Sequence, residues 1–348
     1  MEGSMVQATK GRLLIVLAIG LALLFFLLIL SWSIGAVDIS FTTVLKDLWA
    51  IITNMGPEPG DWEQSVVWSR VVRSVAVIGV GIGLSVSGAV MQALIRNPLV
   101  DPYITGVSSG AALGAILSIL AGVSIVSAAE LATPAAALIG ALAAFFITMA
   151  LAESAGGKSI NFVLSGMIVG IALSSFTTLI ITSAEDSKLH GALFWLYGSF
   201  AFTDWIEALM IIVPVLIICA ILLLYARELN VILLGDEHAK HLGLDVKLFK
   251  RIIIALTSIL TAISVAFCGV IGFLGLIVPH TSRMIVGGDH RLLLPTSMVL
   301  GAVVLLAADI FARVAMRPDE LPVGAVISLI GAPFFIYLMI KRGKEYGG

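Results

Sequence analysis

The feature that most constrains this chain is a series of apolar runs, each close to twenty residues long, that recurs along nearly its whole length. A helix needs about 20 apolar residues to cross the hydrocarbon layer of a bilayer. Only 12% of the 348 residues are charged and 59% are hydrophobic, whereas a soluble domain carries roughly 25% charged residues. The sequence therefore predicts an all-α membrane protein that crosses the bilayer many times.

These runs predict ten transmembrane helices. They lie at about 12–33, 70–93, 104–122, 131–152, 160–183, 204–225, 247–268, 273–286, 292–314 and 322–341. The eighth is short, and Gly269, Gly272 and Gly275 indicate a tight reversal between it and the seventh. An alternative count of nine spans would merge the seventh and the eighth. The first run is longer than the roughly 7–15-residue core of a secretory signal, so we interpret it as a retained span.

The distribution of charges predicts which ends of the spans face the cytoplasm. Basic residues concentrate in the segments that an even span count places inside, above all in 226–250, whereas the segments placed outside, such as 34–69, are acidic. Both termini are then cytoplasmic. We expect 34–69 to be a turn-rich outer loop and residues 193–197 to belong to a short interfacial helix. The net charge of −2 gives no indication of a nucleic-acid partner.

The string Ala152–Ser159, A-E-S-A-G-G-K-S, matches a relaxed phosphate-binding loop in which Ala replaces the first Gly. Such a loop needs a strand before it and a helix after it. A predicted membrane span precedes this string, although Ser159 does open a helix. We therefore interpret Gly156, Gly157, Lys158 and Ser159 as a turn between spans, and not as a nucleotide site.

A charged cytoplasmic segment, 229–245, predicts a short amphipathic helix with Asp236 as a possible N-cap and Gly243 as its stop. Leu233, Leu234, Ala239 and Leu242 would form its apolar face, which suits a groove on a partner, although a solvated connector has the same spacing. His238 and His241 lack a third ligand at a defined spacing, so we predict no metal site.

Three arginines lie near the outer ends of spans, where the bias of basic residues predicts few: Arg70, Arg73 and Arg313. An ion pair within the helix, with Asp309 four residues earlier, would account for Arg313. Contact with lipid headgroups would account for Arg70 and Arg73. The functional alternative is that the three receive carboxylates of an external partner.

Small and hydroxyl side chains recur at helical spacing along the fifth span: Gly166, Gly170, Ser174 and Thr177. This stripe is equally typical of close helix packing and of a path wall that must not retain its cargo. Gly110 and Gly114 in the third span have the spacing that lets a neighbouring helix approach closely.

Several ordered strings resemble the permeases of ABC importers for iron-siderophores, haem and cobalamin, the FecCD family. They are SGAVMQALIRNPLVDPYITGVSSGAALG, GDEHAKHLGL, GFLGLIVPHTSR, DHRLLLP, AADIFAR and ELPVGAVISLIGAPFFIYL. The resemblance covers roughly residues 12–342. It implies a type II importer fold with ten helices per subunit, in a dimer whose interface forms the translocation path. Residues 12–342 would be one transmembrane permease domain, 1–11 a disordered cytoplasmic lead and 343–348 a cytoplasmic tail.

The resemblance also implies partners and residue roles. The partners are a second permease subunit, expected to be another copy although one sequence fits either case, two cytoplasmic ATPases and a periplasmic or lipid-anchored binding protein. ATP and Mg²⁺ would be bound by the ATPases, so this chain would hold no cofactor and catalyse no reaction. Arg70, Arg73 and Arg313 would receive the binding protein, and residues 156–159 would form the cytoplasmic gate. The ATPase would be coupled through Gly235, Asp236, Glu237, His238, Ala239, Leu242, Gly243 and Leu244.

The cargo is the least determined of these expectations. The resemblance implies import, by ATP-driven alternating access across the plasma membrane of a prokaryote, of an iron chelate such as a siderophore or haem, or of cobalamin. A cobalamin or oxyanion importer is the alternative within the family. An ion-coupled secondary transporter is the alternative outside it, with Asp309 as its main candidate for an intramembrane acid.

Overall fold

The computed structural model describes residues 2–54, 56–121, 129–201 and 203–346, and these residues form helices joined by short turns. The helices are α1 Glu2–Ser33, α2 Phe41–Asn54, α3 Trp62–Ile95, α4 Val107–Ala121, α5 Ala129–Ser154, α6 Ser159–Thr182, α7 Asp186–Leu196, α8 Trp205–Leu224, α9 Ala226–Leu233, α10 Asp236–His241, α11 Val246–Cys268, α12 Leu274–Val286, α13 His290–Val314 and α14 Val323–Tyr346. A 3₁₀ turn at Pro102–Thr105 precedes α4. The predicted all-α membrane fold is confirmed.

Each of the ten predicted spans corresponds to one apolar helix. Within the described residues, seven helices are long and apolar enough to cross a membrane, and α4, α12 and the apolar part of α14 are shorter. α11 ends at Cys268, Gly269 has a φ of 73°, and α12 begins at Leu274. The seventh and eighth predicted spans are therefore separate helices, and merging them would be wrong. The number of crossings and the side of the termini stay predictions.

α3 lies at the centre of the bundle. In its most apolar stretch 89% of the residues are buried, and it packs against α8, α11, α12 and α13. Glycines make the closest of these contacts possible, since a Cβ on Gly81 would lie 2.6 Å from the carbonyl oxygen of Gly301 in α13. The predicted close approach at Gly110 is also confirmed, because this residue packs backbone to backbone against Gly140 of α5.

The outer helices expose apolar faces. Only 11% of the apolar stretch of α1 and 22% of that of α6 are buried within the chain. Large side chains such as Phe176 and Leu179 of α6 are 59% and 65% exposed. Such faces are stable only against lipid or another subunit.

The structure departs from the sequence-based expectations in two segments. The predicted outer loop 34–69 contains α2, whose Val44 and Ile51 are buried against Val67; their spacing of seven residues is two helical turns, a pattern that could have been found. α1 begins at Glu2, so residues 2–11 are helical where a disordered lead is predicted. α14 continues through Tyr346, so residues 343–346 of the predicted tail are helical, and the cytoplasmic position of that tail stays a prediction. The predicted short helix near 193–197 exists as α7.

Candidate functional site at the two ends of the bundle

We call the two ends of the bundle outer and inner after the side that the distribution of charges predicts for each. At the outer end, Arg73 and Arg313 share one buried carboxylate. Arg73 Nη2 donates to Asp309 Oδ1 at 2.8 Å, and Arg73 Nη1 donates to Glu320 Oε2 at 2.8 Å. Arg313 Nε lies 3.1 Å from Asp309 Oδ2, an ion-pair distance without the angle of a hydrogen bond. The predicted pair between Asp309 and Arg313 is thus confirmed, and it belongs to a larger network that we call the outer arginine network: Arg73, Asp309, Arg313 and Glu320.

This network ties three helices together. Arg313 Nη2 donates to Ser31 Oγ at 2.6 Å, which joins α13 to the end of α1, and Arg73 joins α13 to α3. The Asp309 side chain is fully buried. A buried charge is tolerated only when it is paired and hydrogen-bonded, so each member depends on the others.

Arg70 is also satisfied within the chain. Its guanidinium donates to the carbonyl oxygens of Trp32, at 2.8 Å, and of Val37, and it lies against Gly35, where a Cβ would be 2.6 Å from Nη2. Arg70, Arg73 and Arg313 are only 6%, 8% and 3% exposed. The headgroup contact considered for Arg70 and Arg73 is therefore wrong for this structure, because their charged ends point into the protein. Receipt of a binding protein by these arginines stays a prediction, and their internal contacts do not favour it.

A groove of about 580 Å³ runs along the middle of α6. Three of the four stripe residues line it, namely Gly166, Gly170 and Ser174, together with Tyr103 and Asp101 from the segment before α4. Thr177 is buried instead, and its hydroxyl donates to the carbonyl oxygen of Leu173. Gly166 also packs against the carbonyl oxygen of Ile104, so the same stripe both packs and lines a groove.

The predicted coupling segment forms α10, a single helix of six residues between two glycines. Gly235 and Gly243 have φ values of 106° and 88°, which only glycine adopts readily. Gly235 occupies the N-cap position, so the prediction that Asp236 caps this helix is wrong. Asp236 is instead held by two cations, Lys250 at 2.6 Å and Arg96 at 3.3 Å.

The apolar face predicted for this segment is divided in the structure. Ala239 is fully buried, whereas Leu233, Leu234 and Leu242 are 43%, 62% and 66% exposed. The buried alanine anchors α10 to the bundle, whereas the leucines lie outside α10: Leu233 and Leu234 at the end of α9, and Leu242 directly after α10. Exposed leucines on both sides of a short helix are typical of a contact surface.

The predicted gate turn lies directly beside α10. Residues 156–159 and Asp236 line one cavity of about 640 Å³, and Lys250 bridges its two sides because its Nζ lies 2.6 Å from Asp236 Oδ2 and 3.2 Å from Ser159 Oγ. Sequence reasoning assigned no role to Lys250 or Arg96. The available signal was that both residues cluster with other cations in the predicted cytoplasmic segments. No spacing in the sequence indicates that they share Asp236 as a partner.

The local fold around A-E-S-A-G-G-K-S differs from that of a nucleotide-binding loop. α5 continues through Ser154 and α6 begins at Ser159, so a helix precedes the turn where a phosphate-binding loop requires a strand. Gly156 and Gly157 have φ values of 106° and 67°, which explains why this turn is rich in glycine.

Comparison with known proteins settles the family. Residues 23–341 match the FecCD transport family. This chain belongs to that family. The permease is 42% identical over 274 residues to the cobalamin import system permease protein BtuC of Halobacterium salinarum, covering 78% of this chain and 72% of that protein. It is 36% identical over 339 residues to the hemin transport system permease protein HmuU of Yersinia pestis, covering 97% and 95%.

A solved structure supports the fold of the permease as well as the family. It is described as an inward-facing conformation of a metal-chelate type ABC transporter, and it matches with a TM-score of 0.81 at 33% identity over 93% of this chain and 98% of that chain. The permease is thus a membrane subunit of the ABC importer class with the type II fold, as the sequence motifs predict.

Proposed function

We propose that the permease imports a metal bound in an organic ligand, such as a siderophore-bound iron, haem or cobalamin, by ATP-driven alternating access. The observation that carries the proposal is the groove along α6, because it combines small residues with a few hydroxyls on a face that the chain leaves open. Such a wall offers close approach and few strong contacts, which suits a bulky cargo that must pass without being retained. The relatives described as cobalamin, hemin and metal-chelate transporters support this cargo class.

The exposed face of α6 also supports a second permease subunit across the path. An apolar helix that is 22% buried in its own chain and carries a groove with polar groups is suited to a subunit interface. We propose a dimer, and a second copy of this chain is the simplest partner.

At the inner end, we propose that α10 contacts a cytoplasmic ATPase, which binds ATP and Mg²⁺. The supporting contacts are those that join α10 to the gate turn, because Lys250 contacts both Asp236 of α10 and Ser159 at the start of α6. A movement of α10 would therefore displace the first turn of the helix that carries the groove. A binding protein on the opposite side would deliver the cargo.

An ion-coupled transporter is the alternative outside the family. Its candidate acid, Asp309, is fully buried and held by Arg73 and Arg313, so it is committed to holding the helices together. A coupling carboxylate must exchange its ion during each cycle, which these contacts oppose.

Uptake into vesicles tests the proposal. The permease is reconstituted with its ATPase and binding protein, and uptake of a ferric siderophore, haemin and cyanocobalamin is measured in parallel with ATP or with a non-hydrolysable analogue. We expect uptake of at least one of these metal chelates with ATP and none with the analogue. Uptake that continues on an ion gradient without ATP, or uptake of none of the three, would contradict the proposal.

A further inference from the structure

The cavity at the inner end has a strongly cationic lining that the import function does not account for. Six cations and two carboxylates face its volume of about 640 Å³, which gives a net lining charge of +4 when all are ionised. The cations are Arg96, Lys158, Lys240, Lys247, Lys250 and Arg251, and the carboxylates are Glu153 and Asp236. The chain as a whole carries a charge of −2, so this excess is local.

Both carboxylates are already neutralised. Asp236 is shared by Lys250 and Arg96, and Glu153 accepts two hydrogen bonds from Arg251, one of them from Nε at 2.6 Å. Among the described residues, the side chains of Lys158, Lys240 and Lys247 make no hydrogen bond or ion pair, and the charge of Lys247 acts on Glu153 without direct contact. The cavity therefore retains cationic groups that repel one another unless an anion lies between them.

The backbone at the cavity adds to the same field. The first N–H groups of a helix have no partner within it and carry a partial positive charge. α6 begins at Ser159 on the cavity wall, and its N-cap residue, Lys158, gives it no side-chain hydrogen bond. Lysines beside an open helix N-terminus are the groups with which proteins bind phosphate.

We infer that this cavity binds a phosphate group, held between Lys158 of the gate turn and Lys247 of α11. Two sources present that chemistry on the cytoplasmic side: the headgroup of an anionic phospholipid and a soluble phosphate or pyrophosphate. Leu248 and Ile252 of α11 do not line the cavity, but each follows a lining cation in the sequence and they are 53% and 40% exposed, so they offer apolar surface on the same helix for the acyl chains of a lipid. The bound phosphate joins the gate turn to α11, and so acts on the same elements as α10 without being cargo.

The test uses the purified full-length permease and two probes. After delipidation, binding of phosphatidylglycerol is measured by native mass spectrometry with phosphatidylcholine as the neutral lipid, and binding of pyrophosphate is measured by calorimetry. The cavity variant is Lys158→Gln with Lys247→Gln. The matched variant is Arg12→Gln with Arg227→Gln, which removes two exposed cations that do not line the cavity.

We expect the cavity variant to bind the effective probe at least about tenfold more weakly, and the matched variant to bind it within about twofold of the wild type. The probe that responds identifies the source. Equal losses in both variants would show that general charge attraction suffices, and would overturn the proposal. So would failure of both probes to bind the wild type, or their displacement when the ATPase assembles on the permease. None of these results depends on whether the cargo is a metal chelate.

Discussion

The two ends of this bundle use cations in opposite ways. At the outer end, Arg73 and Arg313 are 8% and 3% exposed, and both contact Asp309. Together with the bond from Arg313 to Ser31, these contacts connect α1, α3 and α13. At the inner end, Lys158, Lys240 and Lys247 are exposed around a cavity whose carboxylates are already paired. The outer charges hold the fold together, and the inner ones are available to a ligand. Residue type alone does not separate these roles, because burial and partners decide them.

The largest expected effect is that of Asp309→Asn. It leaves Arg73 and Arg313 buried with reduced compensation, and breaking a buried ion pair in this way costs about 3–5 kcal/mol. We expect a much lower unfolding midpoint in detergent and loss of monodisperse protein in size-exclusion chromatography.

The matched control is Asp38→Asn, which also removes an aspartate that faces an arginine at the outer end. Asp38 is paired with Arg317 at 2.9 Å, but its side chain is 62% exposed. We expect no measurable change in the unfolding midpoint, because exposed ion pairs contribute little. Equal effects of the two substitutions would show that burial does not distinguish them.

The same comparison sharpens the docking prediction. Arg70→Glu with Arg73→Glu places two carboxylates beside backbone carbonyls and beside Asp309. We expect this double variant to be misfolded, so that any loss of binding-protein docking would follow from unfolding. A variant with a native unfolding midpoint and no docking would instead support a role in docking.

A smaller effect on the fold, with a large effect on function, is expected at the exposed leucines on either side of α10. Leu234→Ser with Leu242→Ser removes exposed apolar surface and leaves buried Ala239 in place. We expect the unfolding midpoint to be unchanged, and stimulation of the ATPase by the permease to fall by about tenfold or more, as for anchors of an interface. Stimulation at the wild-type level would remove α10 from the proposed contact.

Salt gives an intermediate test of the difference between the ends. Exposed charges are screened at physiological ionic strength, over a Debye length of about 8 Å, whereas buried pairs are screened much less. Raising the salt should weaken phosphate binding at the inner cavity, as measured by calorimetry. It should leave the destabilisation caused by Asp309→Asn nearly unchanged. A salt-independent phosphate affinity would place that ligand elsewhere.

The smallest expected effect is the pH dependence of Asp289 at the inner end. The hydrogen bonds from Arg291, and next that from Asn230, lower the pKa of this carboxyl to about 2 against the opposing effect of burial. Because the folded-state pKa lies below the usual value near 3.9, its stabilisation is present above that value and is lost as the pH falls towards 2. The difference in unfolding midpoint between the wild type and Asp289→Asn should therefore shrink between pH 4 and pH 2, and a constant difference would contradict this assignment.

The sequence by itself determined the class of fold, the family and the position of nearly every apolar helix. Hydropathy over about twenty residues is a local property. Because the bilayer thickness sets the length of a spanning helix, the hydropathy of the sequence predicts where each span lies. The ordered strings from 87–114 to 320–338 are equally local. Helix α2 was missed because its heptad-spaced Val44 and Ile51 are surrounded by polar turn signals on both sides.

Only the tertiary structure decided what the charged residues do. Arg73 and Asp309 are 236 positions apart, and no spacing rule connects them. Lys250 contacts both Ser159 and Asp236 because α6, α10 and α11 converge at the inner end. The A-G-G-K-S turn was recognised from sequence as the wrong context for a nucleotide, yet the cationic cavity that it faces is built by four separate segments of the chain. Such charges acquire their partners through packing, and packing is determined by the whole chain.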